Sequence, residues 1–172
     1  MGTVVDTAVR KFFDPAFVDG QGRSKATKEY FTELFKDVIN ENSVNNLIGA
    51  LEALNQSFIQ NGWKVISSGV YTIDEQLGNK RVGELDLLAI DAMGNFHIID
   101  IKTYRSNEFE LKNSFHNYPA QVSLYKADLG RNIGLFIPNE NLHIFALKVD
   151  SNGDYYNMTT DSEGVSTLTK KP

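Results

Sequence analysis

Residues 83–104, GELDLLAIDAMGNFHIIDIKTY, read as two apolar strands around a Met93-Gly94-Asn95 turn. Such a pattern commits a chain to a β-hairpin. Yet Glu84, Asp86, Asp100 and Lys102 interrupt the apolar runs. Side chains alternate across a strand, so Phe96, Ile98, Asp100 and Lys102 share one face while His97, Ile99, Ile101 and Thr103 share the other. By the same count Glu84 and Asp86 lie on one face of the preceding strand, with Leu88 and Ile90 further along. Pairing about Gly94 sets residues whose numbers sum to about 186 to 188 opposite one another, which places Asp86 against the 100–102 region.

Two carboxylates and one ammonium therefore converge. Unpaired carboxylates taken out of water either neutralise or acquire a partner. Lys102 supplies one positive charge, and a hard divalent ion with oxygen ligands, such as Mg²⁺, supplies the rest. A partly exposed ion pair at the strand ends fits the same spacing, so the wider pattern has to decide.

Before the hairpin, residues 1–23 carry Phe12, Phe13 and Phe17 among the breakers Pro15, Gly20 and Gly22, and are expected to form an arm or linker that packs by its aromatics. The spacing of Tyr30, Phe31, Leu34, Phe35 and Val38 predicts an amphipathic helix capped by Ser24. A second helix is expected from about Ser43, with Leu47, Ile48, Leu51, Leu54, Phe58 and Ile59 on one face and Gly62 ending it. WKVISSGVYTI then reads as a strand and QLGNKR as a turn. After the hairpin come a polar loop, a short helix in FHNYPAQVSLYKADLG, and strands IGLFI and LHIFALKV separated by Pro138-Asn139. The polar tail reads as at most one edge strand and a frayed end. This order predicts an α/β domain over residues 24–172, a mixed β-sheet flanked by helices.

The composition narrows the chemistry. The chain has 172 residues and no cysteine, which excludes disulfides, thiolate metal sites and cysteine nucleophiles. A net charge of -5 argues against a generally basic nucleic-acid coat while leaving room for a local positive rim. Lys80, Arg81, Arg105, Lys112, Lys126 and Arg131 fall around the hairpin and the following helix and could build such a rim. No apolar run approaches bilayer length and no signal peptide is evident, so a cytoplasmic protein without membrane contact is expected.

At Asp86 in GELD and Asp100-Ile101-Lys102 in DIK, the chain resembles the PD-(D/E)XK nuclease superfamily, whose core motif is an acid late in one strand, a hairpin, and then acid-x-Lys. GALEALNQSFIQNGWKV is similar to the family's helix signature, with Glu52 at its acidic position. Gln121 and Tyr125 in QVSLY match the Gln-x-x-x-Tyr motif of RecB-like exonucleases, while GELD looks like resolvase-like and restriction-like members. The resemblance spans residues 44–130. It implies a restriction-endonuclease-like fold and a Mg²⁺-dependent nuclease, with Mn²⁺ able to substitute, acting on DNA rather than RNA. Asp86, Asp100, the Ile101 carbonyl and Glu52 would be metal ligands. Lys102 would activate water and stabilise the transition state, and Gln121 and Tyr125 would orient the lysine or touch the nucleic-acid strand. His97 and His143 are expected to be structural, and His116 and Tyr118 to line the groove. Two other readings use the same residues: a nucleic-acid-binding module of a larger protein that keeps the fold but cleaves nothing, and an interaction domain whose acids are solvated ion pairs.

Overall fold

The computed structural model describes residues 2–74, 81–104, 127, 136–148, 155–160 and 166–170. Six strands form one sheet in chain order: β1 (Lys64–Asp74), β2 (Arg81–Ile90), β3 (Phe96–Tyr104), β4 (Leu142–Lys148), β5 (Tyr155–Thr160) and β6 (Ser166–Lys170). Every neighbouring pair is antiparallel except β3 and β4, which run parallel. The sheet is thus mixed, and with its helices it has the α/β, restriction-endonuclease-like architecture expected. A parallel pair requires a crossover connection. The helix expected in that crossover lies outside the described residues apart from Ala127, which is helical and exposed.

The N-terminal segment departs from the expected arm. Residues Gly2–Phe13 form α1, whose Val4, Val5, Ala8, Val9 and Phe13 are buried in the core. Their spacing puts one apolar stripe against the sheet, and the Arg10 carbonyl accepts a hydrogen bond of 2.9 Å from the Ser68 hydroxyl of β1. Beyond α1, the expected long helix from Ser24 shrinks to α2 (Lys28–Leu34). Thr27 is its cap, the hydroxyl accepting from Tyr30 N–H at 3.1 Å, while Ser24 Oγ accepts from Ala26 N–H before the helix begins. Phe31 and Phe35 are buried, whereas Leu34 and Val38 are exposed.

Helix α3 (Glu41–Gln60) starts at Asn40 rather than Ser43, because the Asn40 side chain accepts from Ser43 N–H at 2.8 Å. Its Leu47, Ile48, Leu51, Leu54 and Phe58 are buried as expected, but Ile59 points out. Gly62 follows with φ +73°, the left-handed conformation that ends a helix without a Cβ penalty. Together α1, α2 and α3 share a core with Leu87, Ala89, Ile99, Ile101, Phe145 and Leu147 of the sheet.

The later strands also correct the sequence reading. Phe136 and Ile137, expected in a strand with 133–135, are not in one, and residues 133–135 lie outside the described residues. A 3-10 turn at Asn139–Asn141 leads into β4. The tail carries two strands, β5 and β6, instead of one strand and a frayed end. Among the described residues no helix is long and apolar enough to cross a membrane.

Candidate active site

The β2–β3 hairpin has the expected register. Leu87 pairs with Ile99, Leu88 with Ile98, Ala89 with His97 and Ile90 with Phe96. Asp91 shapes the turn, its Oδ1 accepting from Met93 N–H and Asn95 N–H at 2.9 Å each. Gly94 adopts φ +87°, which an L side chain would resist. One step beyond Leu87 and Ile99, the same register would set Asp86 opposite Asp100.

There the ladder gives way to side-chain chemistry. Ile101 N–H donates to Asp86 Oδ2 at 2.7 Å. Meanwhile β2 continues its pairing with β1 through Leu85, Glu84 and Gly83 as far as Arg81. A fork therefore opens between β2 and β3, and the carboxylate of Asp86 closes it at the position where a strand carbonyl would otherwise accept.

Asp86 and Asp100 are 5% and 2% exposed, so this is a buried carboxylate pair. Burial pushes the Asp86 carboxyl up to about 8, with a further upward push from the neighbouring Asp100 carboxylate; the Ile101 N–H acts in the opposite direction. Lys102 Nζ lies 3.1 Å from Asp100 Oδ2. The contact has ion-pair distance without hydrogen-bond alignment, leaving Asp100 Oδ2 a buried oxygen that accepts no hydrogen bond. Lys102 itself is partly exposed, its side chain at 26%. Buried carboxylate oxygens beside one cation are the donor set a hard divalent ion takes.

Sequence reasoning missed Asp6. It is exposed on α1, and its charge adds to the upward push on Asp86. No local motif marks it, because its proximity depends on α1 docking over the sheet. Glu52, expected as a further ligand, is exposed on α3, and among the described residues no three His, Cys, Asp or Glu side chains gather into a group able to hold an ion. Ile101 meets Asp86 through its N–H. Gln121, Tyr125, His116, Tyr118 and the basic residues Lys80, Arg105, Lys112, Lys126 and Arg131 lie outside the described residues, while Arg81 opens β2 opposite Asp74. A cavity of about 450 Å³ beside α1 and α3 is lined by Phe12, Phe13, Phe58 and Trp63 and contains none of the expected site residues.

A model of the PD-(D/E)XK nuclease superfamily matches residues 1–169, nearly the whole chain and including α1. The chain belongs to this superfamily. Members of the PD-(D/E)XK superfamily generally use divalent metal ions, and the Asp86–Asp100 pair has the chemistry to hold one. No curated protein sequence matches. Among solved structures, this superfamily member is similar to a candidate exonuclease from Eubacterium rectale, with a TM-score of 0.48 and 12% identity, covering 99% of this chain and 59% of that one. It is also similar to a protein designated SSO0001, with a TM-score of 0.38 and 15% identity, covering 98% of this chain and 66% of that one. The chain thus spans less than two thirds of either protein's length.

Proposed function

We propose that this chain is a metal-dependent nuclease that hydrolyses DNA phosphodiester bonds, with Mg²⁺ as the ion and Mn²⁺ able to replace it. The observation that carries the reading is the buried Asp86–Asp100 pair with the Lys102 ammonium 3.1 Å from Asp100. Asp86 and Asp100 would hold the ion, which when bound supplies charge neutralisation at the phosphate and makes water a better nucleophile.

The chain's own residues do the rest. Asp100 lies low in the site, buried on β3, and fixes Lys102 beside it. Lys102 carries positive charge to where the attacking water and the phosphate oxygens meet, so it orients the water and stabilises the charge that builds in the transition state. Asp86 holds its proton up to about pH 8 in the absence of a cation, so it must release that proton before it can ligate. Ile101 N–H fixes the Asp86 carboxyl in place for that step. Gln121 and Tyr125 would contact the nucleic acid or Lys102 from the connection between β3 and β4.

The second reading is a non-cleaving nucleic-acid-binding module within a larger protein. The observation favouring it is that no third acid joins Asp86 and Asp100 among the described residues. A cleavage assay separates the two, using labelled single-stranded, duplex and branched DNA and matching RNA with Mg²⁺, Mn²⁺ or EDTA. The nuclease reading expects DNA cutting that EDTA abolishes. Binding without cutting in every metal condition would support the second reading.

A further inference from the structure

A second buried polar group lies at the starts of β3 and β4, with His97 on the face of β3 opposite to Asp100 and Lys102. His97 Nδ1 lies 2.9 Å from His143 Nε2, and His97 Nε2 lies 2.9 Å from Asp91 Oδ2. Both imidazoles are buried and stacked, with ring centres 5.2 Å apart and planes 19° from parallel. The indole of Trp63 covers both, at 4.7 Å from His97 and 4.5 Å from His143. Trp63 is itself pinned at the corner between α3 and β1, its backbone N–H donating to the Phe58 carbonyl at 2.9 Å. We propose that Asp91, His97, His143 and Trp63 form an acid-sensitive latch. It holds the β2–β3 turn and the starts of β3 and β4 against the α3–β1 corner, and releases them when both imidazoles become charged.

Proton counting gives the direction. An ionised Asp91 needs an N–H from His97 Nε2, so neutral His97 must accept through Nδ1, and His143 must donate through Nε2. The His97 hydrogen bond is the main cause holding the Asp91 carboxyl below its usual range, helped by Asn95 N–H. One added proton leaves both bonds intact, because a charged His143 still donates its Nε2–H. The indole face favours that cation. A second proton, on His97 Nδ1, sets one N–H against another and breaks the pair.

Phe58 of α3 and Phe145 of β4 flank Trp63, and Lys64 beside it is exposed. Asn141 is neutral, its amide donating to the Phe96 carbonyl at 3.0 Å. Asp91 also caps the turn through its other oxygen, so loss of the His97 bond loosens the turn that sets the hairpin register.

Trp63 is the only tryptophan of the chain, which makes the latch directly readable. Charged imidazole quenches a stacked indole. Intrinsic fluorescence and urea unfolding of the full chain would be followed from about pH 8 to about pH 4.5, across the histidine range. We expect fluorescence to fall on acidification and, in an Asp86→Asn background that removes the opposing proton uptake of the carboxylate pair, the folding equilibrium to weaken by about tenfold per pH unit once the unfolded chain binds one more proton than the folded chain.

His143→Gln, whose amide can donate to or accept from His97, should remove most of that weakening. Asp91→Asn keeps the turn-capping oxygen but loses the charge that favours a proton on His97, and should move the quenching step to lower pH. Asp86→Asn should leave the quenching step in place, which separates the latch from the carboxylate site. If His143→Gln does not fold, His97→Gln serves the same comparison. Superimposable fluorescence and stability profiles for native chain and histidine variant would overturn the proposal.

Discussion

Asp86 is the residue on which chemistry and stability pull in opposite directions. Its carboxyl ordinarily titrates near 3.8 but is raised to about 8 in the fold, first by burial and then by Asp100. Between those values the folded chain holds a proton that the unfolded chain has lost. The contribution of Asp86 to metal-free stability should therefore fall as pH rises through the window from 3.8 to about 8. Asp86→Asn should flatten that slope and, at pH near 8, stabilise the metal-free protein by on the order of 1–3 kcal/mol, while destroying a carboxylate the proposed chemistry needs. Denaturant melts at several pH values check both. The same proton competes with a cation, so Mg²⁺ affinity should rise with pH up to about 8 and then level off, with proton release visible as buffer-dependent heat in calorimetry. Affinity independent of pH would place the ion elsewhere.

At the scale of elements, the hairpin was legible because three local signals agree: alternating apolar residues, a turn that Gly94 permits, and acids whose parity assigns them to one face. Helix α3 was legible from its stripe, though its true cap, Asn40, lies three residues before the expected start. Helix α1 was not. Its apolar positions are mainly valines and phenylalanines, no capping residue marks its start, and its helicity is sustained by docking against β1, β2 and β3 rather than by propensity. The second of the tail strands β5 and β6 was hidden for a related reason, because polar residues such as those of YYNMTT and STLTK form strands only when a paired edge is available. The contribution of Asp6 depends on α1 docking and was invisible with it. Two substitutions test these elements. Phe13→Ala should destabilise by about 3 kcal/mol, since Phe13 packs on Phe58 with ring centres 5.3 Å apart. Gly62→Ala should cost about 1 kcal/mol through its positive φ. Equilibrium denaturation measures both.

For the whole molecule, the N-terminal helix belongs to the folding unit, since the family match begins at residue 1 and α1 shares the core. Each fully buried valine or phenylalanine contributes about 1.5–3 kcal/mol, and whole domains are stable by only about 5–15 kcal/mol. Removal of residues 1–23 should therefore abolish cooperative unfolding, as read by circular dichroism. A truncated chain that melts cooperatively would make α1 an appendage. The central claim, that Asp86, Asp100 and Lys102 form a metal-dependent phosphodiesterase site, has its most direct test in single-turnover DNA cleavage by the native chain, Asp100→Asn and Lys102→Ala. Each variant is first shown to be folded by its unfolding transition. Mg²⁺-dependent cutting that falls by about a hundredfold or more in both variants is the predicted result, in line with the loss of one group that stabilises transition-state charge. Cutting at the native rate in either folded variant would contradict the account.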